Sequence, residues 1–390
     1  MSFVVRVLVV EDTDAEIKNW EKEIEYHNAA DNPVFIIQAI YAKSLRETRE
    51  YLASHDFHAA IVDINLQQEN MTASNSDGNK AIESLLDLEL AVVAVFTGES
   101  PLVEIPEWAK NTVRTFRKGA EDHEGTSAVM GWLGEQVPLI KAVSQAQSII
   151  NAEMVKLFTR SIWPRWSHWT SEENDGIEIS LSRHLAAHIH ATLLEGGNHQ
   201  AHPEEWYFVP PVREGIRTGD LIKIGDKFEI VITPRCDLAT GKVNTIQLAK
   251  CQLVQAKWRE LCDALAAKQV DLNENTDPGK TQSLEKKIEA AKKALRKYTQ
   301  HNGPTASLHF LPPIRMESGE LGPFMVSFND IRTVLNTSEF EEEEKRIEEE
   351  IDSIKTGRIA ALTPEFLPSF IERLGAYFSR IGTPDYSHPE

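Results

Sequence analysis

Short, nearly unbroken apolar runs alternate with amphipathic stretches over the front third of the chain. Val4–Val10, Val34–Ala39, Ala59–Ile64, Ala91–Phe96 and Val113–Phe116 read as strands. Continuous apolar strands of this kind are buried on both faces, as in parallel sheets. Between them, Asp14–His27 carries Ile17, Trp20 and Ile24 on one helical face. Ser44-x-x-Glu47 reads as a capping box opening a second helix, and Asn79–Leu86 is a third. Pro101 and Pro106 leave room only for a short or broken helix before the fifth strand. Strands alternating with helices predict a parallel α/β sheet covered on both sides.

The pattern then changes. Leu139–Ile162 reads as one long helix, ending before Pro164 and the aromatic cluster Trp163, Trp166 and Trp169, which we expect to be a packed junction. From Trp206 the chain turns β-rich: Tyr207–Val209, Leu221–Ile224, Lys227–Thr233, Asn244–Leu253, Ser307–Leu311 and Phe324–Phe328. Gly225-Asp226 is a hairpin signal. Gln255–Lys268 and Ser283–Gln300 carry three-four apolar spacings (Trp258, Leu261, Leu265; Leu284, Ile288, Ala291, Leu295, Tyr298), the signature of an antiparallel coiled-coil hairpin. An acidic helix at Glu339–Lys355 and an amphipathic one at Pro364–Ile381 close the chain. The expected organisation is an α/β domain over 1–138, a connecting helix over 139–163, and an α+β output domain over 164–390. The last has a β-barrel-like core with a helical hairpin inserted at 255–302.

Composition narrows the function classes. A net charge of -19 over 390 residues argues against nucleic-acid binding, which needs a basic surface. The three cysteines, Cys236, Cys251 and Cys262, have no C-x-x-C spacing and read as free thiols of a reducing cytoplasm. No apolar run reaches membrane-spanning length and no signal peptide is visible, so a cytoplasmic protein is expected.

The strand ends carry the chemistry. Glu11 and Asp12 follow the first strand, Asp63 the third, Thr97 the fourth and Lys118 the fifth. In an open parallel sheet such positions converge on one crevice. Carboxylates suit Mg²⁺, which takes oxygen ligands, and Asp63 can be a nucleophile toward phosphorus. Lys118 offers a mobile point charge and Thr97 a hydroxyl to phosphoryl oxygens.

In order and spacing these residues, over about residues 3–140, resemble the receiver domain of two-component response regulators. The resemblance implies a flavodoxin-like fold with strand order 2-1-3-4-5. It implies Mg²⁺ held by Glu11, Asp12, Asp63 and the backbone carbonyl of Asn65. It also implies transfer of a phosphoryl group to Asp63 from a histidine kinase or phosphotransfer protein in a bacterial phosphorelay. The chain departs from the family's pattern at several points. Gln67–Asp77 is long and polar, the proline after the acceptor is absent, Gly119 stands where proline follows the lysine, and Phe116 lies one position late for the aromatic switch, with Thr115 in its place. The family's switching face and dimer mode are therefore not carried over, and homodimerisation stays open.

No familiar output motif follows: there is no helix-turn-helix pattern and no G-x-x-x-x-G-K-[ST]. The first reading is a response regulator whose output switches a protein partner or an assembly, with the lysine-rich second helix of the hairpin facing an acidic partner. In outline the C-terminal pieces are similar to domains attached to receivers in bacterial defence or stress loci, a likeness that transfers no activity. The alternative is a receiver-gated enzyme with a centre near Cys236 and Asp237 and one of His199 and His202. A third reading, DNA binding through the basic hairpin, would require salt-dependent duplex binding. His184, His188 and His190, with His199 and His202, could hold a metal, but packing or solvated histidines are commoner. Arg235 and Arg380 suit either an anion or a surface salt bridge.

Overall fold

The computed structural model describes residues 2–67, 73–98, 100–119, 125–170, 176–195, 201–240, 243–301, 305–336 and 341–380. The chain divides into two compact units, Met1–Gly197 and Asn198–Glu390.

The front unit is built on five strands: β1 (Phe3–Val10), β2 (Phe35–Ala42), β3 (Ala59–Val62), β4 (Val92–Thr97) and β5 (Val113–Arg117). All pairings are parallel and the order is β2-β1-β3-β4-β5, the doubly wound order expected for a flavodoxin-like fold. The strand period of two sends alternate side chains to opposite faces. Val5, Val7 and Val9 join Ile61, Ala94 and Phe96 on one face, beneath α1 (Asp14–Asn28) and α4 (Thr126–Leu157). Leu8 and Val10 join Ala60, Val62, Val93 and Val95 on the other, beneath α2 (Leu45–Leu52) and α3 (Asn75–Leu88). Trp20 of α1 is fully buried, edge-on to Phe96 at 5.2 Å between ring centroids.

The capping at Ser44 is shared between neighbours. Its hydroxyl accepts the Glu47 N–H at 3.2 Å, while the Glu47 carboxylate accepts the N–H of Lys43 at 2.7 Å. Pro101 and Pro106 have the expected effect: among the described residues between β4 and β5 the helical structure is two 3₁₀ turns, Ser100–Leu102 and Glu107–Ala109.

The long helix differs from its expected bounds. It begins at Thr126, inside the α/β domain, and runs through Pro138. Proline removes one helical hydrogen bond, but Val137 and Ile140, buried on either side of it, hold the helix in register. A π-helical turn, Phe158–Ile162, follows. Such a turn adds about one residue to the helical repeat and rotates what comes after it. Ile162 is buried and Trp169 half-buried, but Trp163 and Trp166 are 70% and 47% exposed and so do not join the packed junction expected of them. Helix α5 (Ile177–Glu195) then packs against α4. Helix α5 falls within the unit Met1–Gly197.

The second unit is a seven-stranded antiparallel sheet. Its strands and those of a small ribbon are β6 (Tyr207–Phe208), β7 (Asp220–Ile224), β8 (Lys227–Val231), β9 (Thr245–Leu253), β10 (Leu308–Leu311), β11 (Ile314–Met316), β12 (Gly319–Leu321), β13 (Phe324–Leu335) and β14 (Arg358–Leu362). The sheet order is β10-β13-β9-β8-β7-β14-β6, and β11 pairs with β12 apart. The sheet is compatible with a curled half-barrel. Among the described residues β10 and β6 are edges and do not pair, so it is not a closed barrel. Gly225, at φ +58°, makes the two-residue turn between β7 and β8. A short helix, α6 (Arg235–Thr240), follows β8. The hairpin α7 (Gln255–Asn273) and α8 (Pro278–Thr299) is inserted between β9 and β10, as expected. Ile288 is buried in its seam, and Trp258 ties it to Phe310 of β10 at 4.8 Å. Helix α9 (Glu341–Thr356) covers one sheet face through Ile347, Ile351 and Ile354. Helix α10 (Leu367–Phe378) covers the other through Phe370. No helix among the described residues is long and apolar enough to cross a membrane.

Candidate functional site

Backbone pairing aligns the strand ends before any side chain acts. The N–H of Glu11 donates to Ala42 O, that of Asp63 to Val10 O, and that of Lys118 to Thr97 O, each at 2.9 Å. The ladder thus extends one residue past β1, β3 and β5 and holds these residues at the carboxyl edge of the sheet.

There the side chains meet. Lys118 Nζ donates to Glu11 Oε2 at 2.6 Å and to Asp63 Oδ2 at 2.7 Å. Glu11 is 1% exposed and Asp63 7%. The other oxygen of each carboxylate is also held: Thr13 N–H donates to Glu11 Oε1 at 3.1 Å, and Asn65 N–H to Asp63 Oδ1 at 3.2 Å. Asp12 is half-buried beside them, with Thr13 Oγ1 donating to its Oδ1 at 3.3 Å. Glu11, Asp12 and Asp63 each offer an oxygen, and the three lie within 4.8 Å of one another. Among the described residues this is the one group of three or more acidic, histidine or cysteine ligands so arranged. An all-oxygen set of this density suits a hard divalent cation.

Burial pushes the Glu11 carboxyl above its usual range, although Lys118 works against it. For Lys118 burial acts downward, but hydrogen bonds to Asp63 and Glu11 outweigh it and hold the ammonium above its usual value. The cation is therefore firmly charged, and three carboxylates against one ammonium leave the pocket an excess of acid.

Thr97 is fully buried at the end of β4. Gly119 takes φ +75°, a value closed to proline. Phe116 is buried, edge-on to Trp132 of α4 at 5.9 Å. One residue escaped the sequence reading. A Cβ on Gly78, in the first turn of α3, would lie 2.2 Å from Ile64 Cα, so only glycine lets α3 approach the segment after Asp63 this closely. The signal for it was the Asp77-Gly78 pair just ahead of the helical pattern that starts at Asn79.

The other candidates are not gathered in this way. His184 and His188 stack edge-on at 4.6 Å on α5, with Trp169 beside His184, and join no third ligand among the described residues. His199 lies outside the described residues, and His202 caps a 3₁₀ turn at Pro203–Trp206. Cys236 is exposed, and its thiol donates to Asp237 Oδ1 at 3.4 Å.

Comparisons with known proteins add little. No protein-family model matches the chain, and no curated protein does. Among solved structures, the signal receiver domain of a putative LuxO repressor protein from Vibrio parahaemolyticus aligns over 37% of this chain and 98% of its own, at 16% identity and a TM-score of 0.26. A fusion bearing the yeast Spc42 trimeric coiled coil, residues 181–211, aligns over 50% of this chain and 99% of its own, at 12% identity and a TM-score of 0.26. Neither likeness is close enough to carry an argument.

Proposed function

We propose that the front unit is a receiver domain that accepts a phosphoryl group on Asp63 from a histidine kinase or phosphotransfer protein. The observation carrying this reading is the Lys118 ammonium, which bridges Asp63 and Glu11 inside a cluster of three carboxylates. Glu11, Asp12 and Asp63 would hold Mg²⁺, with the carbonyl of Asn65 as a further ligand. The metal would supply charge neutralisation for an incoming phosphate.

The chain's own groups do the rest. Asp63 presents a carboxylate oxygen held by the Asn65 N–H, and Lys118 is placed to follow the new phosphoryl oxygens. Thr97, at the adjacent strand end, supplies a hydroxyl. Phosphorylation would add negative charge here and redistribute the Lys118 contacts. Helix α4 is the natural reporter. Its first half packs on the sheet with Phe96 and Phe116, and its second half leaves that core with Ile149, Ile150 and Val155 exposed. The output is a change in protein association in a cytoplasmic signalling pathway.

Calorimetric titration of the full chain with MgCl₂ tests the metal half of this reading. One site should saturate in wild type and disappear in both Asp12→Asn and Asp63→Asn. A wild-type protein that takes up no Mg²⁺ at any Asp63-dependent site would remove the reading.

A further inference from the structure

The second unit holds an arginine-lined pocket that the receiver reading does not use. Its volume is about 280 Å³. Four arginines line it, Arg213, Arg217, Arg235 and Arg358, against a single carboxylate, Asp220. In a chain of net charge -19 this is a local reversal of sign.

Asp220 is already committed. It is 1% exposed, and its Oδ2 accepts both Arg358 Nε at 2.6 Å and the Arg217 N–H at 2.7 Å. Arg358 also donates to the Arg213 carbonyl at 2.7 Å, which fixes the loop carrying Arg213 and Arg217. The guanidiniums of Arg213, Arg217 and Arg235 join no ion pair within 4.0 Å among the described residues. Arg217 Nε is buried with no hydrogen-bond partner. A buried donor left unmatched in this way costs free energy until a ligand accepts from it.

Arg235 belongs to the Thr233–Leu238 segment singled out in the sequence, and its corner is rigidly anchored. Thr233 O accepts the Thr218 hydroxyl at 2.6 Å, and Thr233 Oγ1 accepts the Gln247 N–H at 2.7 Å. That corner brings Arg235 to the pocket. The remaining wall is apolar, with Phe208, Val212 and Leu367.

We propose that this pocket binds a small phosphate monoester, its phosphoryl oxygens on Arg213, Arg217 and Arg235 and its organic body on the apolar wall. Three forked cations suit a dianion with three terminal oxygens better than a monocarboxylate, which one arginine satisfies. The volume, at the lower end for ligand sites, excludes a nucleic-acid duplex.

The test is calorimetry on the full chain with phenyl phosphate, in EDTA so that the acidic cluster of the front unit holds no metal. Phenyl phosphate should saturate one site, inorganic phosphate should bind roughly tenfold more weakly, and phenol should not bind. Arg213→Gln and Arg235→Gln, both at exposed positions, should each weaken phenyl phosphate roughly tenfold while leaving the thermal transition in place. The proposal is overturned by no saturable binding up to about 10 mM. Affinity unchanged in both variants, or phenol or inorganic phosphate binding as tightly as the ester, overturns it equally.

Discussion

Replacing Lys118 by methionine should loosen the front unit in a way that a divalent cation repairs. The substitution keeps the aliphatic stem and removes the ammonium that sits 2.6 Å from Glu11 and 2.7 Å from Asp63. Removing one partner of a buried ion pair costs about 3–5 kcal/mol, because the remaining charge is left uncompensated. Two features reduce the figure here. The lysine side chain is 21% exposed, and Glu11, already pushed upward by burial, can take a proton. A loss of about 2–3 kcal/mol remains, or roughly a 30- to 150-fold larger open population of the sheet edge. Hydrogen-exchange mass spectrometry on β1 and β3 peptides of the full chain reads this locally, without interference from the second unit. Adding MgCl₂ should restore much of the protection in Lys118→Met and add less to wild type, since the metal replaces the lost positive charge. Unchanged protection in the variant would refute the reasoning. Greater Mg²⁺ stabilisation of wild type than of the variant would refute it as well.

Gly78→Ala should cost about 1–3 kcal/mol in the front unit, because the new Cβ meets the Ile64 backbone and α3 must back away from the segment after Asp63. Its check is the loss of exchange protection in α3 peptides, and wild-type protection there would contradict the close approach. In the second unit, His309 is buried beside Phe370, and burial, then Arg373, then His301 push its imidazole down to about 3. The unfolded chain takes a proton on this histidine below about pH 6.5 and the folded chain does not, so stability is full above that value and falls as pH drops toward 3. At pH 5 the loss is about 2 kcal/mol relative to pH 8, and His309→Leu should flatten that part of the urea-midpoint profile. A slope that survives the substitution would assign it to other groups.

How much of this was legible depended on the local signal. The parallel strands were readable because Val4–Val10 is apolar but for Arg6 and Ala59–Val62 is apolar throughout, and the acidic cluster followed from where those runs end. The hairpin showed in its three-four spacing, of which Ile288 is the buried centre. Strand β14 was missed: Arg358–Leu362 is five residues with two alanines, and it becomes a strand only by pairing with β7 and β6. The start of α4 was misplaced because Pro138 imitates a helix boundary that tertiary packing overrides. The arginine pocket was invisible for a different reason. Arg213 and Arg217 share one loop, Arg235 and Arg358 come from two other segments, and only the sheet's order brings the three together.

The phosphoacceptor role of Asp63 is tested most directly by intact-mass spectrometry of the full chain after incubation with Mg²⁺ and a small-molecule phosphodonor. Wild type should gain the mass of one phosphoryl group, and Asp63→Asn should gain none. An adduct that persists in Asp63→Asn, or its absence from a wild-type protein that binds Mg²⁺ and has been given a competent histidine-kinase donor, would contradict the assignment.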